Sequence, residues 1–293
     1  MLDFPIVDTH VHLWDTERLH YPWLEGIPAL NRPFLLSDYR KACRSVEIET
    51  MVFVQCEAEF NQGMDEVGLA LAMAEGEPRL EGIVAWAPME MGAQCREYLA
   101  RLVAKSPLIK GVRRLIQSEP APEFCLRESF LECLQCLPDY GLSFDICISH
   151  EQLASTITMV RRCPDTSFVL DHIAKPDIKS GMLDPWRQEL SELARLPNVV
   201  CKISGLVTEA NTENWTRDDL KPYIDHVIEC FGFDRVMYGG DWPVSTQATD
   251  YARWVKTLAW AVAGSSEAEK RKLFRDNAVR VYRLENSSER AEP

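Results

Sequence analysis

Eight short apolar runs rich in β-branched residues alternate along the chain with segments of helical periodicity, and proline or glycine breakers stand before several of the runs. Strands that alternate with helices pair in parallel through crossover connections. Eight such units favour a closed cylinder over an open sheet, because closure leaves no edge strand unpaired. The sequence therefore predicts the α/β class, and within it a single-domain (β/α)8 TIM barrel.

The predicted strands follow one another at regular spacing. They cover residues 5–12, 50–56, 82–88, 108–114, 142–149, 167–172, 199–205 and 235–241. Pro107 directly precedes the fourth predicted strand, and Pro197 stands two residues before the seventh. The long segment 13–49 is expected to be an enlarged loop that covers the barrel mouth. We assign residues 1–285 to the barrel and 286–293 to a disordered tail.

An open, doubly wound sheet that binds a nucleotide is the alternative architecture. It requires a glycine-rich turn between the first strand and the following helix. The segment VDTHVHLWD contains no glycine, which favours the barrel.

The composition restricts the class of partner. The formal net charge of -13 argues against nucleic acid and anionic membranes, since phosphate binding needs clustered lysine and arginine. A small-molecule substrate is the expected partner, and assembly into a homo-oligomer remains open. The segment MLDFPIVDTHVH lacks a basic and apolar leader, and no apolar stretch approaches the roughly 20 residues of a membrane span. We therefore expect a cytoplasmic protein.

The ten cysteines are scattered, and several lie inside apolar strand-like runs such as FDICI and VVCKIS. This placement is typical of reduced, buried thiols and argues against a disulfide framework. Cys133 and Cys136 form a CxxC pair, but they lie in a stretch of helical period with no second CxxC. We interpret them as packed thiols on a helix face rather than as a metal or redox site.

The first predicted strand carries a His-x-His pair at its carboxyl end. Because side chains alternate along a strand, Asp8, His10 and His12 should share one face, with Val7 on the face toward the helices. The catalytic groups of such barrels gather at the carboxyl ends of the strands. Two imidazoles about 7 Å apart can share a metal ion or a substrate oxygen. Two hydrogen-bonded histidines at a polar strand end are the structural alternative.

Two further polar residues are predicted at the same opening. The alternation of side chains places His172 at the end of strand 6 and Asp241 at the end of strand 8. Gly239 and Gly240 would let a substrate approach the backbone, or would simply relieve packing. Alone, Asp241 could be a helix-cap or turn carboxylate, but together with strand-end histidines it indicates a reaction centre.

Fixed donors and acceptors are needed around a polar substrate. The candidates are Gln55 at the end of strand 2, Arg113 on strand 4 and Lys202 on strand 7. A salt bridge inside the barrel is the alternative for each of the two cations. Weaker candidates for the rim of the site are Glu57, Trp14, Trp23, Lys175 and Trp242.

The motifs VDTHVHLWD, LDH and YGGDWP together resemble the amidohydrolase-related (amidohydrolase 2) branch of the amidohydrolase superfamily. GVRR at 111–114 and CKISGL at 201–206 resemble its sugar-acid and pyrone lactonase group, which includes the L-fuconolactonase and L-rhamnonolactonase types. The resemblance extends over nearly the whole chain. It implies that His10 and His12 are the strand 1 pair, His172 the strand 6 histidine and Asp241 the strand 8 acid.

The chain departs from this pattern at strands 4 and 5. Many members of the superfamily bridge two metal ions with a strand 4 lysine or glutamate and add a histidine after strand 5. Strands 4 and 5 read IKGVRR and LSFDICIS here, so a binuclear site is not expected. His150 has the position of a strand 5 histidine, but HEQLAS resembles the opening of a helix. The remaining choice is one divalent, zinc-like ion held by His10, His12, His172 and Asp241, or no metal.

The expected function is hydrolysis of a small lactone, and the lactone of a sugar acid is the favoured substrate. Asp241 would act as general base and then as general acid, and the three histidines would stabilise the oxyanion directly or through a metal. A metal-dependent decarboxylase of the same superfamily is the first alternative. A catalytically silent barrel that binds a ligand is the second, although such a barrel would have no need of a base beside three imidazoles.

Overall fold

The computed structural model describes residues 2–285, and the predicted tail 286–293 lies outside them. Eight strands form one sheet in sequence order, and each pairs in parallel with the next. The strands are β1 Ile6–Val11, β2 Ile48–Val54, β3 Leu80–Trp86, β4 Ile109–Arg113, β5 Ser143–Ile146, β6 Phe168–Leu170, β7 Val199–Ile203 and β8 Val236–Tyr238. The prediction of a single-domain (β/α)8 TIM barrel is confirmed.

Helices fill the connections between the strands. They are α1 Leu36–Ala42, α2 Gly63–Glu75, α3 Cys95–Val103, α4 Glu128–Cys136, α5 Leu153–Arg162, α6 Trp186–Leu193, α7 Leu206–Glu209, α8 Arg217–Phe231, α9 Tyr251–Ala261, α10 Glu267–Arg271 and α11 Asn277–Tyr282. Their apolar faces pack against the outside of the strands in one continuous core. None of the helices in residues 2–285 is long and apolar enough to cross a bilayer.

The barrel closes where β1 meets the segment that follows β8. The amide of His12 donates to the Trp242 carbonyl at 2.7 Å, and the amide of Asp241 donates to the His10 carbonyl at 2.8 Å. Val11 and Trp242 form a parallel bridge at the same place. Closure therefore fixes the His-x-His pair and Asp241 to one another through the backbone.

The face assignment that we predicted for β1 is wrong at Asp8 and Val7. The register between β1 and β2 shifts between Asp8 and Val11, and such a shift reverses the alternation of side chains. Asp8 accepts hydrogen bonds from the hydroxyls of Tyr39 at 3.0 Å and Tyr251 at 2.7 Å, and these residues belong to helices α1 and α9. Val7 instead packs inside the barrel, in a cluster with valines of β2, β3 and β6. Of the three β1 residues predicted to share the inner face, only His10 and His12 point to the barrel mouth.

One pair of cysteines differs from the expectation of reduced thiols. Cys95 and Cys133 form a disulfide that joins the start of α3 to α4, with Cα atoms 6.1 Å apart. Their separation of 38 residues carried no signal in the sequence, because only the fold brings the two helices together. The other eight cysteines are free thiols, and seven of them are buried.

Candidate active site

Four polar side chains from distant parts of the chain meet at the carboxyl end of the barrel. The Oδ1 atom of Asp241 lies 3.7 Å from Nε2 of His12, 3.8 Å from Nε2 of His10 and 4.0 Å from Nε2 of His172. The Nε2 atoms of His10 and His12 are 3.1 Å apart. The sequence predicted that these residues converge, and the structure brings them together.

The opposite nitrogens of His12 and His172 are held by hydrogen-bond partners, and that of His10 lies between a carboxylate and the ammonium of Lys202. Nδ1 of His12 lies 2.8 Å from the Val54 carbonyl, and Nδ1 of His172 lies 2.9 Å from the Ser204 hydroxyl. Nδ1 of His10 lies 3.3 Å from Oδ1 of Asp171. A carbonyl oxygen only accepts, so Nδ1 of His12 carries the proton and its Nε2 offers a lone pair to the centre.

An unusual backbone turn aims His172 at this centre. Strand β6 ends at Leu170, and the φ angles of His172 to Lys175 are 54°, 51°, 62° and 46°. L-residues avoid this left-handed region at a cost of roughly 1–2 kcal/mol each, so such a run persists only where the surroundings enforce it. The indole of Trp186 donates to the Ile173 carbonyl at 2.7 Å, and Ile173 and Ala174 are fully buried. The turn places both His172 and Lys175 on the cavity wall.

Burial sets the ionisation of the four groups. It raises the pKa of Asp241 to about 7, against the lowering effect of the Lys175 and Arg113 charges. Burial lowers the pKa of His12 to about 3, and the Arg113 charge adds to the effect. It also lowers the pKa values of His10 and His172 well below the usual range. The centre therefore combines neutral imidazoles with a carboxyl group that titrates near neutral pH, which suits a general base.

A charged network that the motifs did not reveal supports the centre from below. Nζ of Lys202 lies 2.6 Å from Oδ2 of Asp145 and 3.1 Å from Oδ1 of Asp171. Arg113 contacts Oδ2 of Asp171 at 3.2 Å and Nε2 of His10 at 3.2 Å. Burial opposes the ionisation of Asp171, but the Lys202 charge and the His10 contact hold the pKa of this carboxyl well below its usual value. The network thus keeps a carboxylate beside His10.

Lys202 consequently forms structural ion pairs inside the barrel and is not a cavity residue. The salt bridge that we gave as the alternative for this residue is thus the correct interpretation. Lys202 is fully buried and does not line the cavity. The sequence did not predict the roles of Asp145 and Asp171, because Asp145 lies within the apolar strand β5 and Asp171 directly follows the apolar strand β6. The available signal was an acid in FDI and in LDH, on strands that face an inward lysine.

The four converging residues lie at the base of a cavity of about 430 Å³, and all of them except His10 contribute to its wall. This volume falls in the range of small-molecule sites. Of the predicted contacts, Arg113, Glu57, Lys175 and Trp23 line the cavity. The remaining wall is formed by Cys56, Ala58, Phe60, Trp86, Arg114, Leu115, Gln117, Ser118, Glu119, Cys147 and Val244.

Several predicted residues lie close to the cavity without lining it. Trp14 is fully buried, and its indole donates to the Arg32 carbonyl at 2.8 Å. Trp242 packs against Phe34 and Tyr39 on the outer side of β1. The segment between β1 and β2, which was expected to be a loop, contains helix α1. The large aromatic surfaces of Trp14 and Trp242 anchor this segment against the barrel, so the two side chains are not placed to contact a ligand.

Gln55 and His150 are also outside the cavity wall. Gln55 is fully buried and is occupied by hydrogen bonds to its neighbour Glu57. His150 opens a helical turn after β5, as HEQLAS predicted, and its Nδ1 lies 3.0 Å from the Lys175 carbonyl. His150 therefore supports the left-handed turn from outside and does not join the centre.

The donor set suits one divalent cation. Ligand atoms of His10, His12 and Asp241 lie within 4.8 Å of one another. Two nitrogens bound to a tetrahedral zinc ion at about 2.0–2.1 Å would be about 3.3 Å apart, close to the 3.1 Å between the two Nε2 atoms. Anchored distal nitrogens are the usual feature of metal-binding histidines. The residues present thus fit a single zinc-like ion.

A (β/α)8 barrel that joins a strand 1 His-x-His pair to a histidine after β6 and an aspartate after β8 has the architecture of the amidohydrolase type. The family model described as amidohydrolase matches residues 7–284. The chain therefore belongs to the amidohydrolase family, and the resemblance identified from its motifs is confirmed.

Similar proteins cover almost the whole chain. An L-fucono-1,5-lactonase of Burkholderia multivorans is 31% identical, over 95% of this chain and 96% of that protein. An L-rhamnono-gamma-lactonase of Scheffersomyces stipitis is 24% identical, over 97% of this chain and 100% of that protein. The crystal structure of a Burkholderia multivorans amidohydrolase with bound zinc is 29% identical, with a TM-score of 0.87 and coverage of 96% of this chain and 100% of that one.

Proposed function

We propose that this protein is a hydrolase that opens the ring of a small sugar-acid lactone, with Asp241 as the group that moves the proton. The observation that carries the proposal is the contact of Asp241 Oδ1 with three imidazole nitrogens at the base of the cavity. The names of the lactonase relatives from two genera support the substrate class.

The carboxylate of Asp241 accepts a proton from water as the water oxygen attacks the lactone carbonyl carbon. The tetrahedral intermediate collapses with cleavage of the bond between this carbon and the ring oxygen, and Asp241 returns the proton to that oxygen. Without a bound ion, a pKa of about 7 lets Asp241 perform both transfers near neutral pH, since it is neither too weak a base nor too weak an acid.

The negative oxygen of the intermediate requires a positive partner. Nε2 of His12 offers a lone pair and cannot donate to this oxygen, because the proton lies on Nδ1. This arrangement favours His12 as a metal ligand over a direct role of its imidazole as a donor, and His10, His172 and Asp241 would complete the set of ligands. A divalent ion bound there would supply Lewis-acid stabilisation of negative charge on oxygen. The guanidinium of Arg113 and the ammonium of Lys175 provide positive charge from the protein itself.

The cavity wall suits a hydroxylated ring. Trp23, Phe60 and Trp86 form an aromatic side that can pack against the C–H face of a sugar ring. Glu57 and Gln117 offer polar atoms for hydroxyl groups. A site with this combination discriminates by hydrogen bonding, because a missing hydroxyl would leave a buried polar group unpaired.

The proposal is tested with the purified protein on a panel of substrates, with and without a chelator. Proton release is measured with aldonolactones, including L-fucono- and L-rhamnonolactone, and with pyrone-type lactones. Carbon dioxide release is measured with aromatic acids. Acid release from aldonolactones supports the lactonase. Carbon dioxide release would support the decarboxylase instead, and inactivity throughout would favour a ligand-binding barrel.

Asp241→Asn is expected to reduce kcat by about 10²–10⁴-fold, because the amide cannot accept the proton from water. The thermal unfolding midpoint measured alongside should stay near that of the wild type. Asp225→Asn is the matched control, since it makes the same change on the exposed surface of α8 and should leave kcat unaltered. Substantial activity of Asp241→Asn would remove the proposed base.

A further inference from the structure

The cations that line the cavity are all engaged by carboxylates. Arg113 contacts Asp171 at 3.2 Å, and the guanidinium of Arg114 contacts both Glu90 at 2.6 Å and Glu119 at 2.5 Å. The ammonium of Lys175 lies 3.9 Å from Glu209. Each of these cations already has a carboxylate partner within 4.0 Å, so a carboxylate on the substrate would have to compete with that partner.

In contrast to these paired cations, the Glu57 carboxylate of the cavity wall has no ion-pair partner in direct contact in the described part of the chain. Within residues 2–285, no lysine, arginine or histidine nitrogen lies within 4.0 Å of its carboxylate. Its partner is the neutral amide of Gln55, which donates to Oε2 of Glu57 at 2.9 Å. The carboxylate of Glu57 therefore presents negative charge to the cavity with no cation of the described residues in direct contact, and the charges of Arg113 and Arg114 act on it only from beyond 4.0 Å.

The backbone of Glu57 is also held in a special conformation. Its φ angle is 56°, in the left-handed region that L-residues rarely adopt. The amide of Glu57 donates to Oε1 of Gln55 at 2.5 Å, so one buried glutamine binds both the backbone and the side chain of Glu57. Backbone strain that surrounding contacts maintain is concentrated at functional sites.

We infer that Glu57 determines substrate specificity: its carboxylate accepts hydrogen bonds from ring hydroxyls of an uncharged polyhydroxy lactone and repels lactones that carry a carboxylate. Gln55 is the positioning residue that holds Glu57 in place. This inference rests on the proposed lactonase function and decides between the two substrate classes of the lactonase group, because a pyrone dicarboxylate would need unpaired cations.

Hydroxyl groups are the natural partners of such a carboxylate. An ionised acceptor binds a hydroxyl more strongly than a neutral one, and a carboxylate can accept from two neighbouring hydroxyls at once. A like charge on the substrate is disfavoured in a partly desolvated cavity, where screening by water is weak. Glu57 thus contributes both attraction for one class and repulsion of the other, as specific sites commonly require.

The test compares paired substrates on the wild type and on Glu57→Gln, which keeps the shape and the Gln55 contacts but removes the charge. Each pair consists of an aldonolactone and the aldarolactone in which its exocyclic carbinol carbon is a carboxylate, such as gluconolactone with glucarolactone. We measure kcat and KM for the first and the inhibition constant of the second. Glu57→Gln should raise KM for the aldonolactone by about tenfold and lower the aldarolactone inhibition constant by about tenfold, with kcat little changed.

Glu59→Gln is the matched control, since it removes a carboxylate two positions away that lies outside the cavity wall and pairs with the exposed His20. Its constants should equal those of the wild type. A Glu57→Gln enzyme whose two constants move together, or do not move, overturns the specificity role and leaves the lactonase proposal intact. A wild type that opens none of the aldonolactones of the panel overturns both.

Discussion

Two equally buried carboxyl groups in this barrel, those of Asp171 and Asp241, have pKa values that are shifted in opposite directions. Asp171 and Asp241 are both buried at the base of the cavity. The Lys202 charge keeps Asp171 ionised, whereas Asp241 has only partial compensation from Lys175 and Arg113, and its pKa rises to about 7. Different charge partners separate the pKa values of two acids that share the same buried environment. Asp171 therefore stays ionised and supports the structure, whereas Asp241 can accept and release a proton.

Glu66 allows this effect of burial to be measured through stability. It lies on α2, where its Oε1 accepts from the Cys56 amide at 3.0 Å, and burial raises its pKa to about 8. The folded protein therefore keeps a proton on Glu66 that the unfolded chain releases above the ordinary glutamate pKa of 4.5. Stability from this group is present below that value and is lost as the pH rises toward 8, by at most about 1.4 kcal/mol per pH unit.

Glu66→Gln should remove this pH dependence. Urea unfolding of the wild type and of the variant, measured between pH 5 and pH 8, should show that the free energy of unfolding of the wild type falls relative to that of Glu66→Gln as the pH rises. Glu75→Gln, at the exposed end of the same helix, should run parallel to the wild type. Parallel curves for Glu66→Gln and the wild type would show that Glu66 is ionised when folded.

At the scale of elements, periodicity predicted all eight strands and their order, and it misplaced their ends. Strands β2 and β3 each begin and end two residues earlier than predicted, and β8 covers only Val236–Tyr238 of the predicted 235–241. Apolar runs do not mark where a strand stops when the following residues are buried as well. The functional segments lie in these misassigned ends, because His172 and Asp241 both need a left-handed backbone that a continuing strand would not allow.

The contacts between side chains in the site were harder to predict than the identity of its four converging residues. His10, His12, His172 and Asp241 follow from strand ends, which all barrels of this kind share. The register shift in β1 and the clamp of Gln55 on Glu57 depend on local backbone geometry that alternation alone does not specify. Lys202 was correctly placed inside, but its carboxylate partners come from other strands, so its role depends on the closed barrel.

The turn from β7 to α7 shows how such an element controls the site. Gly205 has a φ angle of 67°, and a Cβ atom there would lie 2.6 Å from Nδ1 of His172 and 3.0 Å from Oδ2 of Asp241. Gly205→Ala should displace the imidazole from Ser204 and reduce kcat/KM for the best lactone at least about tenfold, as small misplacements of reacting groups do. Gly264→Ala, where no atom lies within 4 Å of the added carbon, should have wild-type activity. Activity of Gly205→Ala within twofold of the wild type would show that the close approach is unimportant.

At the scale of the whole molecule, the centre exists only because the barrel closes. His10 and Asp241 belong to the first and last strand units, and the hydrogen bonds between β1 and the segment after β8 join them. The opposite end of the barrel is filled by apolar side chains, and the hydroxyl of Tyr282 from α11 donates to Asp145 at 2.8 Å. The C-terminal helix thus supports the charged network beneath the site from the other end.

A ligand that binds the centre should therefore stabilise the entire fold, because His10, His12, His172 and Asp241 come from three separate regions that unfolding would disperse. A cation at 100 times its dissociation constant adds about 2.7 kcal/mol, which in a domain of this size raises Tm by roughly 4–5 °C. Calorimetry of chelator-treated protein with and without added zinc should show this rise, and His12→Ala should abolish it because one ligand is lost. His20→Ala removes an exposed histidine instead and should retain the full rise. An equal zinc effect in His12→Ala would place the binding elsewhere, whereas no effect on the wild type would show that these four residues do not bind zinc.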